Sequence, residues 1–285
     1  MSSAHTAPAP LFSMDQAQAA EAYFVRNGFV AFSDFLDADT IAALRATADE
    51  AVEDGRLKLS DDDYSSNNDI VYCDPLFERL ARHPLIVNMV HRLTAAPIEL
   101  QHSKFNAKPL ISSPLGEVAW HQDYPFYPHT NFDLVSCIIH LDDEGMDSGP
   151  VRMAPGSHRQ GPLSHVEPDG RFAYRIVGCD DLRVEDAIPL QGKAGFVSFH
   201  HCLTVHCSEP KRATGHRRLI VFQYRAQDAV QMAGIVWRCN GMKVDDSPDD
   251  PRTARLASGI TVELRGVGGR LVDMAGKFAP HRPNP

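Results

Sequence analysis

Residues 98–107 read IELQHSKFNA, residues 133–141 DLVSCIIHL and residues 218–226 RLIVFQYRA. Each run is rich in β-branched and aromatic residues, and turn-forming residues lie between them, which is the texture of strands rather than helices. Five shorter runs of the same kind fall in between: EVAWHQD (117–123), PVRMA (150–154), AIPL (187–190), AGFVSF (194–199) and TVHCS (204–208). Eight strands at this spacing predict an antiparallel sandwich or jelly roll. The stretch 156–186 reads as a long insertion between two of them.

Upstream of Pro97 the period changes. Apolar residues recur at helical spacing from Asp15 to Asn27, with Gly28 as the stop. FVAF (29–32) reads as a short strand. A second helix runs from about Asp39 to Asp54, with Ile41, Leu44, Ala48 and Val52 as its apolar stripe and Gly55 at its end. A third runs from His83 to Ala95. Between them, residues 58–75 are polar, with DDDYSSNND at the centre, and read as a loop long enough to be a lid. Residues 1–14 are expected to be a disordered tail. Residues 15–285 then form one domain: a helical part (15–96), a β core (97–228) and an extension (229–285), read as a tail or an edge hairpin near ITVEL (260–264). The fold class is mainly β with flanking helices, α+β.

Hydrophobic residues make up 43% of the 285 and charged residues 23%, with a net charge of −9. This is an ordinary globular composition. No basic stretch alternates with aromatics, which argues against nucleic acid as a partner. No apolar run is long enough to cross a membrane, and the N-terminus has neither the basic nor the apolar region of a signal peptide. Six cysteines are scattered without a CxxC pair, as expected of free thiols in a reducing compartment. The chain therefore reads as cytoplasmic, a monomer or homodimer.

The chemistry is concentrated at Trp120-His121-Gln122-Asp123. In a strand, residues i and i+2 share a face, so His121 and Asp123 can present an imidazole and a carboxylate to one point. One more His completes a set of two His and one carboxylate, which leaves positions open on Fe(II) for O2 chemistry. HxD alone equally describes a strand end with two exposed polar residues. His200, His201, His206 and His216 are available as the third ligand, and His206, in TVHCS, is the best placed. Arg217 follows it by eleven residues. KRATGHRR (211–218) reads either as a basic surface segment or as the source of a buried Arg. A buried Arg near a metal could grip the distal carboxylate of a 2-oxo acid in a bidentate pair.

The chain resembles the phytanoyl-CoA dioxygenase family of Fe(II)/2-oxoglutarate-dependent oxygenases. The resemblance rests on GFVAFSDFLDADTIAALR (28–45), NAKP (106–109), WHQDYPFY (120–127), DLVSCIIHLDD (133–143), GPVRMAPGSHRQGPL (149–163), GFVSFHHCLTVHCSEP (195–210) and RRLIVFQYR (217–225), in the family's order and covering roughly residues 20–228. It implies a double-stranded β-helix (jelly-roll) core, and Fe(II), 2-oxoglutarate and O2 as cofactor and cosubstrates. His121, Asp123 and His206 match the metal ligands. Arg217 matches the residue that pairs with the distal carboxylate of 2-oxoglutarate, and Ser208 one that assists it. Asn106 resembles a position near the chelating end. Lys104, Gln101 and His102 share its strand, whose phase decides which of them face the site. In halogenating relatives a small residue replaces the carboxylate, so Asp123 favours hydroxylation over chlorination.

Trp120 and Phe126 are expected to line the substrate pocket or fill the core. Tyr124 and Tyr127 are either substrate hydrogen-bond donors or caps on the sandwich edge. PGSH (155–158) reads as a rim turn, and Asp61–Asp63 lack the calcium-loop pattern. Cys207 should point away from the metal by alternation. The expected reaction is hydroxylation of an unactivated C–H in a small amino acid, carboxylic acid or natural-product intermediate, with release of succinate and CO2. Desaturation, epoxidation or rearrangement would use the same cofactors. A Zn or Mn cupin-like enzyme and a non-catalytic jelly-roll binding module are the readings of another class. A CoA thioester would call on Lys104, Lys108, Arg152 and Arg159 at the pocket mouth, and the acidic balance argues against it.

Overall fold

The structure, a computed structural model, describes residues 7–60, 63–109, 116–178, 184–248 and 253–263. The strands are β1 (Leu11–Phe12), β2 (Phe29–Phe32), β3 (Ser65–Asn68), β4 (Ile98–Ala107), β5 (Val118–His121), β6 (Leu134–His140) and β7 (Val151–Met153). They continue as β8 (Ile188–Pro189), β9 (Val197–His201), β10 (His206–Ser208), β11 (Arg218–Ala226), β12 (Met242–Lys243), β13 (Thr253–Arg255) and β14 (Thr261–Glu263). The helices are α1 (Ala17–Asn27), α2 (Ala38–Glu53), α3 (Pro75–Ala81) and α4 (Pro84–Thr94).

The larger sheet runs β1-β2-β9-β6-β11-β4-β12, with β3 also on β4, and the smaller runs β5-β10-β7-β8. Every pairing is antiparallel except β1 with β2. This is the expected jelly roll. Its sheets share a core that includes Phe29, Ile138, Val151, Met153, Leu190, Phe196 and Leu219. The outer face of the larger sheet packs on the helices through Val30, Phe32, Val197, Phe199, Ile220, Phe222 and Tyr224. Alternation along β2, β9 and β11 thus serves two cores.

Gly28 shows why the first helix stops where it does. Its φ is +84° and its N–H donates to Phe24 O at 2.7 Å. A Cβ there would sit 2.5 Å from both Thr204 Oγ1 and His158 Nδ1, so both the turn and the close approach call for glycine.

Three expectations change. Of the expected disordered tail, residues 1–6 lie outside the described residues, and the remainder is not simply disordered, because Leu11–Phe12 pairs with Ala31–Phe32 and Ala9 N–H donates to Pro189 O at 3.0 Å. Residues 58–75 are not a structureless lid: Ser65–Asn68 pairs with Lys104–Ala107, a 3-10 turn follows at Ile70–Tyr72, and the short helix α3 begins at Pro75. SSNN has no apolar alternation to announce a strand. It is held by the edge of β4 and by the Asn67 side chain, which accepts from Lys58 N at 2.8 Å and donates to Lys58 O at 2.9 Å. The extension after 228 is in part built into the core domain. β12 extends β4, and the β13–β14 hairpin, where the edge hairpin was expected, is tied down by Arg255 to Asp133 and Asp228.

Candidate active site

His121 and His206 are direct cross-strand partners in the antiparallel pair β5–β10, and their ring centroids lie 4.1 Å apart. Asp123 reaches them by a different route from the one strand alternation suggests. β5 ends at His121, and Asp123 has αR backbone angles (φ −69°, ψ −39°) at the start of a 3-10 turn. The turn is pinned where Tyr124 N–H donates to Cys202 O at 3.1 Å and where the buried Gln122 amide donates to Leu203 O at 2.8 Å. One ligand atom from each of His121, Asp123 and His206 falls within 4.8 Å of the other two, an arrangement that could hold a metal ion.

The surroundings prepare each group for that role. His121 Nδ1 lies 2.8 Å from Ala119 O and His206 Nδ1 2.9 Å from Thr204 O. A carbonyl can only accept, so Nδ1 carries the proton in both rings and Nε2 presents its lone pair to the site. Burial shifts both imidazoles toward the neutral form that coordinates metal. Asp123 Oδ1 lies 3.8 Å from each Nε2. Its Oδ2 accepts from Ser136 Oγ at 2.8 Å and from His200 Nε2 at 3.0 Å. Burial alone would raise the Asp123 carboxyl, but the His200 hydrogen bond and the neighbouring rings outweigh it and hold it well below the usual range. One oxygen is thus tethered and the other left for a metal.

Strand register explains this cluster and settles the phase of β4. His200, Ser136, Gln223 and His102 are lateral neighbours across β9, β6, β11 and β4. The next row is Ser198, Ile138, Val221 and Lys104, and the one after is His140, Leu219 and Asn106. His102, Lys104 and Asn106 therefore share the inner face. Gln101 sits at the irregularity in the β4–β11 register and bonds instead to Gln231 at 3.3 Å.

A cavity of about 120 Å³ runs from the two histidines and Asp123 toward Arg217, and its lining includes Tyr64, His102, Lys104, Asn106, Ser208 and Val221. Arg217 is 1% exposed. Its Nε lies 3.1 Å from Glu144 Oε1, yet the Nε and Nη2 hydrogens find no well-aligned acceptor. Glu144 in turn meets His140 Nδ1 at 2.9 Å. Asn106 Oδ1 also lacks a partner. Buried polar groups are normally bonded, so a cationic fork with unfilled donors in a cavity fits a carboxylate, and the two-His, one-carboxylate donor set fits Fe(II).

Other expected residues lie elsewhere. Trp120, Tyr124 and Phe126 do not line this cavity. The Tyr124 hydroxyl donates to His129 O at 2.8 Å and its ring packs on Phe132, which is an edge-capping role. Phe126 packs edge-on against the His121 ring at 5.7 Å and against Phe172 at 5.1 Å. Tyr127 donates to Gln223 Oε1 at 3.1 Å. Ser157 serves the rim turn, donating to Ala154 O and accepting from Val205 N. Cys207, expected to point away by alternation, is among the cavity-lining residues, where the β10–β5 register is irregular. Lys108, Arg152 and Arg159 do not converge on a mouth: Lys108 donates to Glu209 O, Arg152 pairs with Glu209 at 2.8 Å, and Arg159 donates to Arg26 O. Residues 61 and 62 lie outside the described residues. Ser136, Gln223, Glu144, His140 and Tyr64 were not singled out from the sequence. His200 was considered as a ligand and instead braces one.

The fold and this cluster define a jelly-roll protein equipped for a metal and an anionic co-ligand. The sequence model described as phytanoyl-CoA dioxygenase (PhyH) matches residues 24–219, and the chain belongs to that family. It is thereby an Fe(II)/2-oxoglutarate-dependent dioxygenase that uses Fe(II), 2-oxoglutarate and O2. A probable alpha-ketoglutarate-dependent hypophosphite dioxygenase of Stutzerimonas stutzeri is 34% identical over 171 residues, 59% of this chain and 58% of that relative. The chain thus spans a little over half of that relative's length. An ectoine dioxygenase of Bordetella parapertussis is 26% identical over 246 residues, 77% of each chain. The crystal structure of EctD from S. alaskensis with 2-oxoglutarate and 5-hydroxyectoine superposes with a TM-score of 0.66 at 21% identity, over 87% of this chain and 92% of that one. Among the described residues, no helix is long and apolar enough to cross a membrane.

Proposed function

We propose that this protein hydroxylates an unactivated C–H bond of a small molecule, coupled to conversion of 2-oxoglutarate to succinate and CO2, with His121, Asp123 and His206 as metal ligands. The observation that carries the reading is the buried Arg217, with unfilled donors at the far end of the same cavity as the three ligand groups. A Zn or Mn hydrolase would have no use for such an anchor. When bound, Fe(II) with 2-oxoglutarate and O2 supplies the oxidising chemistry.

The chain's own residues bind and orient. His121 and His206 offer Nε2 because Ala119 O and Thr204 O occupy their Nδ1 protons. Ser136 and His200 hold Asp123 Oδ2, so the carboxylate offers Oδ1. Arg217, assisted by Ser208, receives the distal carboxylate of 2-oxoglutarate, while Asn106 and Lys104 stand on the strand that flanks the chelating end. Val118, Ile138, Val151, Leu219 and Val221 line the cavity and keep water from these polar groups, which strengthens each interaction. Trp120, Tyr124 and Phe126 stay assigned to the substrate, outside the cosubstrate cavity.

Three of the four basic residues a CoA ester would call on are already engaged, Lys108 and Arg152 with Glu209 and Arg159 with Arg26 O, and the fourth, Lys104, lines the cosubstrate cavity. This favours a small substrate over a CoA ester. A second reading, oxidation of a small phosphorus oxyanion, is favoured by the 34% identity to the hypophosphite relative. The test is an anaerobic mixture of protein, Fe(II) and 2-oxoglutarate, given O2 and assayed for succinate. Amino acids, cyclic imino acids and hypophosphite are then screened for a rise above the uncoupled rate. No succinate under any condition, and no change on His121→Ala, would overturn the proposal.

A further inference from the structure

Tyr64 belongs to the segment that reads as a polar lid, yet register carries it to the arginine end of the cavity. Ser65 pairs with Ala107 and Arg218 with the same Ala107. One step further along, Lys108 N–H donates to Arg217 O at 3.0 Å. Tyr64, Lys108 and Arg217 therefore form the next lateral row across β3, β4 and β11. Side chains alternate along a strand. Tyr64 is two residues before Ser66, the partner of Asn106, and Arg217 is two before Leu219, so both share the inner face with Asn106. Both also line the cavity.

Among the described residues the Tyr64 hydroxyl has no hydrogen-bond partner, although Tyr64 N–H is anchored to Asp63 Oδ1 at 2.7 Å, and the same oxygen accepts from Gly116 N at 3.2 Å. The backbone is fixed at the mouth while the hydroxyl is left over. Burial lifts its pKa to about 12, even against the opposing charge of Arg217. It is therefore a protonated donor beside a cation that also has donors to spare. The phenolic oxygen could accept from Arg217, but no hydrogen bond joins the two and the Arg217 Nε and Nη2 hydrogens stay unfilled; an acceptor between them, most strongly an anion, would take from both.

We propose that Tyr64 is a further cosubstrate-binding residue, its hydroxyl donating to the distal carboxylate of 2-oxoglutarate that Arg217 grips. This rests on the reading of the cavity as the 2-oxoglutarate site. Sequence could not single out Tyr64, because SSNN carries no strand signal from which to count phase.

The experiment is calorimetric titration of 2-oxoglutarate into Mn(II)-loaded wild-type protein and Tyr64→Phe. A hydrogen bond to a charged group contributes about 1.5–3 kcal/mol, so the dissociation constant should rise roughly 10-fold or more. Mn(II) affinity, and the affinity for pyruvate, a 2-oxo acid without a distal carboxylate, should stay within about 2-fold. The pyruvate arm also shows that the variant is folded. An unchanged constant for 2-oxoglutarate overturns the inference, as does equal weakening for pyruvate, which would make Tyr64 a packing residue. Wild-type protein that binds no 2-oxoglutarate overturns the proposed function itself, and the inference with it.

Discussion

Replacing Glu144 with Gln tests whether the anion end of the cavity is built around a buried charge pair. The Arg217 and Glu144 side chains are each 1% exposed and His140 is 0% exposed. Burial opposes the charge on Glu144, but Arg217 and then His140 outweigh it and lower its pKa, so the pair is ionic at neutral pH. Gln keeps the shape and removes the charge, leaving Arg217 buried with no counter-charge. Breaking a buried pair by deleting one partner costs about 3–5 kcal/mol. Urea unfolding of the metal-free proteins at pH 7 should show that loss. A ligand at 100 times its dissociation constant stabilises by about 2.7 kcal/mol. Saturating 2-oxoglutarate with Mn(II) should stabilise the variant more than the wild type, because the distal carboxylate then supplies the missing counter-charge. The pH dependence has a defined sign. A lowered folded-state pKa contributes stability that is fully present above the unfolded value of ~4.3 and is lost as pH falls through the lower folded value. The wild type should therefore lose more stability than Glu144→Gln over that acid window. A variant within about 1 kcal/mol of wild type, with the same acid limb, would refute the reasoning.

Ser136→Ala removes one of the two donors to Asp123 Oδ2 and should weaken Fe(II) or Mn(II) binding roughly 10–100-fold, read by metal titration with no cosubstrate present. Arg217→Lys keeps the charge but loses the fork; the KM for 2-oxoglutarate should rise by an order of magnitude or more at ~1.5–3 kcal/mol per charged hydrogen bond, with metal affinity unchanged. Phe222→Ala, at a fully buried site between the larger sheet and the helices, should destabilise by about 3–5 kcal/mol, measured by chemical denaturation at saturating and zero ligand.

Much of the architecture was legible locally. IELQHSKFNA and RLIVFQYRA coincide with β4 and β11 end to end, and the α1 and α2 periodicities place those helices to within a few residues. Most of what was missed had little local signal. β3 is a run of Ser and Asn held by its neighbour's edge. α3 is a seven-residue helix, short enough to look like loop. The αR turn that carries Asp123 is set by contacts with Cys202 and Leu203, far along the chain.

The site divides in the same way. The sequence alone determined which chemical groups are present: the HxD pair, a late histidine, an arginine eleven residues beyond it, and strands able to hold them. The groups follow from residue types and the strands from a two-residue period, both local properties, although Asp123 itself reaches the site from a turn. Which histidine would coordinate and which would brace the carboxylate was decided by tertiary structure, since His206 faces His121 across β10–β5 while His200 faces Ser136 across β9–β6. Tertiary structure also brought Glu144 and His140 to Arg217, and Tyr64 to the same end. Those meetings depend on strand register, in which a slip of one residue would turn every side chain to the opposite face. Register is set by the packing of whole sheets, and no single segment contains it.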